Sequence, residues 1–155
     1  MSRPNAFADE PWDMTAEKMQ LRSRFVGKAA GAKELGASVH ELLPGSTGFH
    51  LHAHYGMEEL FVVLSGEPTL RTPAGEEQLG PGDVVSCPKG PEGMHTFTNP
   101  SDMPARVLAI STLPVPEVVL YPEIGKFGVA TRDPFAPVPE GGDPGVVGLF
   151  DLPKS

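Results

Sequence analysis

An all-β sandwich or barrel is the fold class this sequence predicts, and three observations predict it. Eighteen glycines and eighteen prolines punctuate the 155 residues so often that long helices have little room. The runs between the breaks are short, and several are rich in β-branched or aromatic residues, which suit a pleated, half-buried surface. The breaks also recur at roughly 8–12 residues, the spacing of sandwiches and barrels.

Residues 1–34 read as an N-terminal arm. Its one helical candidate is Thr15 to Arg24, with Thr15 as N-cap and Met19 among the apolar positions, packed on the barrel or frayed. Residues 35–122 carry the barrel. Breaks at Pro44-Gly45, Gly66-Glu67-Pro68, Pro73-Ala74-Gly75, Gly80-Pro81-Gly82-Asp83, Pro88-Lys89-Gly90 and Asn99-Pro100 separate runs such as Glu59 to Leu64, Val84 to Cys87, His95 to Thr98 and Arg106 to Ile110. Residues 123–155 form an extended tail that is again heavy in proline and glycine, in which Val146 to Phe150 can dock as a strand. No internal repeat and no linker demands a second domain.

A chain of 155 residues can bury a real core without disulfides, and its single cysteine, Cys87, excludes an internal one. Met1 to Asp13 lacks the basic region and apolar run of a secretory signal. No stretch approaches the ~18 apolar residues of a membrane span, so a reducing cytoplasm is the expected location. The net charge of −8 disfavours nucleic acid and anionic membrane surfaces as partners. The surplus acids read as a solvated surface. A homodimer is expected, because a sheet-rich fold has edge strands to protect.

The chemistry concentrates in His52-Ala53-His54, Glu59 and His95, four potential metal ligands in an order that a small antiparallel barrel can bring together. Histidines at i and i+2 point to one face of a strand, so both rings can converge on one ion. Glu59 lies an odd number of residues beyond both, so the chain must bend, and Gly56 can allow it. A carboxylate heading the apolar run to Gly66 needs compensation, which a metal supplies. Glu58, of opposite parity, faces solvent or a basic partner. His50 shares the parity of His52 and His54 and reads as pocket wall or as the candidate that moves protons behind the ligands. His40 reads as structural. Cys87, beside Pro88, reads as a buried, inert thiol. Trp12 and Tyr121 carry no separate signal.

These residues resemble the first motif of the cupin superfamily: His52-Ala-His54, four residues, Glu59, six residues, Gly66. A second motif follows in order, with Gly82, five residues, Pro88-Lys89-Gly90, then His95, three residues, Asn99. Ser46 stands where the family has its leading glycine, and four residues separate Gly90 from His95 where the pattern has two. The resemblance covers roughly Gly45 to Thr112. It also extends to Pro116 to Pro122 and Gly125-Lys126, which look like a group of small single-domain bacterial cupins. It implies a six-to-eight-stranded double-stranded β-helix (jelly-roll) barrel, with one divalent transition metal (Fe, Mn, Ni or Zn) held by His52, His54, Glu59 and His95.

Three histidines and a carboxylate around an octahedral ion leave two positions for substrate, water or dioxygen, whereas a tetrahedral zinc would use all four. The sequence therefore points to a metalloenzyme acting on a small polar molecule by oxygenase, isomerase or lyase chemistry. A non-catalytic ligand-binding or sensing module is the alternative. A storage role, which needs no complete ligand set, ranks last.

Overall fold

A computed structural model describes residues 3–134, 136–138 and 140–154. In chain order the strands are β1 (Met14–Ala16), β2 (Leu21–Arg24), β3 (Leu35–Leu42), β4 (Ala53–His54), β5 (Glu59–Ser65), β6 (Thr69–Thr72) and β7 (Gly75–Gln78). They continue with β8 (Val84–Cys87), β9 (Thr96–Thr98), β10 (Ala105–Thr112), β11 (Glu117–Tyr121), β12 (Lys126–Ala130) and β13 (Val147–Asp151). One short helix, α1 (Val26–Ala29), lies between β2 and β3.

The strands pair antiparallel in three sheets of order β1-β2-β3-β10-β5-β8, β13-β12-β11-β4 and β7-β6-β9. This is the expected all-β fold, antiparallel sheets with almost no helix. Alternation sorts the side chains of the large sheet. Phe61, Val63, Val107, Ala109 and Leu42 turn inward and join Leu21, Leu70, Leu79, Cys87 and Phe97 in one buried cluster. Each large apolar side chain removed from water there contributes roughly 1.5–3 kcal/mol. Glu59 heads the same inward column as Phe61 and Val63, so the strand that builds the core also carries a carboxylate to its end.

The expected helix from Thr15 to Arg24 is not formed. That segment is β1, a 3-10 turn at Glu17–Met19 and β2, with Gln20 in the left-handed region at φ 50°. The reason lies in a period of two: Leu21 and Ser23 are 3% and 0% exposed and face the interior, while Arg22 reaches the opposite face. The arm is thereby drawn into the large sheet. On its outer face Glu41, 2% exposed, accepts from both Arg22 and Arg106. Trp12 lies over the guanidinium groups of Arg22, Arg24 and Arg106 at 4.7, 5.2 and 5.7 Å. The tail segment expected to dock does so as β13, paired with β12. Asn99 is fully buried; its amide donates to the carbonyls of Leu42 and Met103 and its oxygen accepts from Ser101, pinning the turn after β9.

Candidate metal centre

Four side chains from three segments of the chain come together. His52 and His95 are joined by a two-way backbone bridge, His52 N–H to His95 O at 3.1 Å and the reverse at 2.9 Å, which sets their rings 4.6 Å apart. His54, two residues on, follows on the same face, with its ring 5.1 Å from that of His52. Tyr55 and Gly56 form the bend that the odd spacing to Glu59 requires. Glu59 Oε2 then lies 3.4 Å from His54 Nε2 and 3.3 Å from His95 Nε2. His52, His54 and Glu59 bring ligand atoms within 4.8 Å of one another, a group that could hold a metal ion.

The two extra residues before His95 have a structural role. Pro91–Gly93 form a 3-10 turn whose last carbonyl accepts the His95 Nδ1–H at 2.8 Å. Gly93 is required there, because a Cβ would stand 1.8 Å from the Pro88 carbonyl oxygen.

Each histidine is oriented the same way. Nδ1 of His52 donates to the His50 carbonyl at 2.7 Å, Nδ1 of His95 to Gly93, and Nδ1 of His54 to Glu117 Oε1 at 3.3 Å. With Nδ1 protonated, every Nε2 presents a lone pair. Burial holds the rings neutral, pushing His54 down to about 3 and His95 to about 4, with neighbouring imidazoles adding to the effect; His52 is lowered too. Burial, followed by the charge of Glu117, raises the Glu59 carboxyl to about 7. Glu59 Oε2 is sealed from solvent without a hydrogen-bond partner. Imidazole lone pairs and an orphaned carboxylate oxygen thus face one another with no donor between them, an arrangement that a cation resolves.

His50 itself is exposed, and its support for the site comes from its backbone carbonyl rather than its ring. Glu58 is exposed, and Cys87 is buried with its thiol pushed up to about 12 by burial and then by Glu59. Two supporting residues escaped the sequence reading. Glu117 also accepts the Gly56 N–H at 3.4 Å, and a Cβ on Gly56 would meet its Oε2 at 2.5 Å, so the glycine lets this carboxylate reach His54. Tyr121 stacks 5.8 Å from His52, and burial, then Glu59, keeps its phenol protonated. Both lie on β11, brought to the histidines by pairing of Val119 with His54.

His40, expected to be structural, is held in the interior by a hydrogen bond. Ser23 Oγ sits 2.7 Å from its Nδ1. Ser23 is fully buried, and its hydroxyl and the His40 ring satisfy one another across this contact. Burial lowers this histidine to about 4, keeping it neutral. By alternation His40 shares the inward face of β3 with Leu42.

Residues 38–111 match the family model of the cupin domain. Among solved structures, a protein assigned as a sugar phosphate isomerase from Acidithiobacillus ferrooxidans is 25% identical, with a TM-score of 0.70 over 84% of this chain and 76% of that one. A cupin-superfamily sugar phosphate isomerase from Silicibacter pomeroyi is 23% identical, with a TM-score of 0.75 over 96% and 88%. A conserved barrel domain protein of the Cupin 2 type from Salinispora arenicola is 20% identical, with a TM-score of 0.52 over 70% and 91%. The latter two share the fold. No curated protein matches the sequence.

Proposed function

Because this chain belongs to the cupin superfamily, we propose that it is a metal-dependent enzyme of isomerase type acting on a small molecule. Its mononuclear centre is held by His52, His54, Glu59 and His95. The observation that carries the reading is the donor-free convergence of imidazole Nε2 atoms on the sealed Glu59 Oε2. The donor set suits iron, manganese, nickel or zinc. A bound ion of this kind supplies Lewis acidity toward a carbonyl or hydroxyl oxygen.

The chain's own groups complete the chemistry. Glu117 fixes the tautomer of His54 by accepting its Nδ1–H. The protonated Tyr121 hydroxyl, on the ring that stacks on His52, is a donor for a ligand oxygen. Phe61, 4.9 Å from the His95 ring, and Phe97 behind it close the floor against water. The likeness to the Acidithiobacillus protein supports isomerisation over oxygenase or lyase chemistry.

The test is metal content of protein purified without chelator or affinity tag, beside His52→Ala, followed by solvent deuterium incorporation into a panel of 2-hydroxy carbonyl compounds. Near-stoichiometric metal that is lost in the variant, with deuterium entering the carbon beside the carbonyl, is expected. Metal equal in both proteins would overturn the centre. Metal without exchange would return the chain to the binding-module reading.

A further inference from the structure

The barrel mouth is bordered on one side by an apolar groove. A cavity of ≈ 450 Å³ is lined by Glu117, Val119, Tyr121, Gly128, Val147 and Leu149, among others. Its place follows from strand register. His54 is opposite Val119, Val119 opposite Gly128, and Gly128 opposite Leu149. Directly paired residues project from the same face of a sheet, so one row runs from the histidine out along the groove. Glu117 and Tyr121 belong to both places, since one holds His54 and the other stacks on His52. At the outer end Val147 and Leu149 are 43% and 58% exposed. Residues 144–150 carry no charge. Lys126, on the same face, is already paired with Asp151 at 2.7 Å.

Gly128 forms the floor without being forced to be glycine. A Cβ there would make ordinary 3.6 Å contacts with Leu149 and Tyr121, and its φ lies outside the left-handed region. The missing side chain contributes space.

We propose that this groove takes the apolar body of the ligand, an aromatic ring or branched alkyl group, while an oxygen-bearing head reaches the centre. The substrate class is then a hydroxy-carbonyl or carboxylate compound with a hydrophobic arm, unlike a sugar phosphate, whose hydroxyls and phosphate would be desolvated against Val119, Val147 and Leu149 beside the Glu117 carboxylate. The volume suits such a molecule, small-ligand sites being typically ~300–1,000 Å³. Continuity with the histidines selects a small ligand over a second copy of the chain as occupant. The inference rests on the metal-centre reading given above.

The test uses two probes with the same chelating head, acetohydroxamate and benzohydroxamate, titrated into metal-loaded protein and corrected for their affinities for the free ion. Benzohydroxamate is expected to bind at least tenfold more tightly. Gly128→Leu, which fills the groove, should erase that advantage, and Leu149→Asp should reduce it if the first variant folds poorly. Equal affinities in the unmodified protein, with metal retained, would overturn the groove and leave the centre standing. Binding of neither probe, together with metal that survives His52→Ala, would instead sink the centre. Should Leu149→Asp turn a dimer into a monomer while the probes bind alike, the groove is a surface between copies and the inference falls.

Discussion

Replacing Glu59 by glutamine should stabilise the metal-free protein while abolishing its affinity for metal. The carboxylate sits with Oε2 sealed and unpartnered beside two imidazole lone pairs, so its charge is uncompensated when no ion is bound. Burial raises it from 4.5 to about 7, which corresponds to about 3 kcal/mol. Below pH 4.5 both the folded and unfolded chains hold the proton, and the group contributes nothing. Between 4.5 and 7 the folded chain keeps a proton that the unfolded chain has released, so stability falls by up to about 1.4 kcal/mol per pH unit. Above 7 both have released it and the full penalty persists. Urea unfolding of chelator-treated protein and of Glu59→Gln should therefore give nearly equal stabilities at pH 4.5 and a gain of about 3 kcal/mol for the variant at pH 8. The buried histidines titrate in the opposite sense, but pH 8 lies above both their lowered values and the ordinary imidazole value, so they are neutral in both proteins where the gain is read. Adding metal should reverse the order at pH 8, stabilising only the unmodified protein. A variant no more stable than the parent at pH 8, or one that retains metal, would refute the argument.

Glu117→Ala should weaken metal binding by about 10–100-fold in competition with a chelator, since it frees the His54 ring. In the same assay His50→Ala should leave affinity nearly intact, because the supporting carbonyl survives the substitution. Equal loss in both would show that the His50 ring, not its backbone, matters. Cys87, with its thiol pushed to about 12, should be about one part in ten thousand thiolate at pH 8. Iodoacetamide should label it rapidly only after unfolding, as followed by intact mass, and fast labelling of the folded protein would contradict its burial.

The residues that were legible in the sequence are those whose placement depends on local geometry. His52 and His54 share a face by parity, Gly56 supplies the bend, and Glu59 heads an inward column whose apolar members announce it. His50 shows where that reasoning stops. Parity holds only along a continuous strand, and β4 begins at Ala53, so the count back to residue 50 crosses irregular chain. The first turn of the arm failed for a related reason. Thr15 as a cap and Met19 one turn beyond it suit a helix, and the choice was made by Ser23 and Leu21 pairing with His40 and Leu42 on β3, contacts outside any short window. Glu117 lay further out of reach. It is 63 residues from His54 and meets it only because β11 pairs with the two-residue β4. Nothing in the run Val115-Pro116-Glu117-Val118 distinguishes that acid from a surface one. The same register that hides Glu117 from the sequence also carries Val119, Gly128 and Leu149 away from the histidines in a single row. The ligands are thus fixed by local spacing, whereas the groove beside them is fixed by distant strand pairing. Substitutions in β12 and β13 can therefore reshape what the centre would admit without touching the residues that would hold its metal.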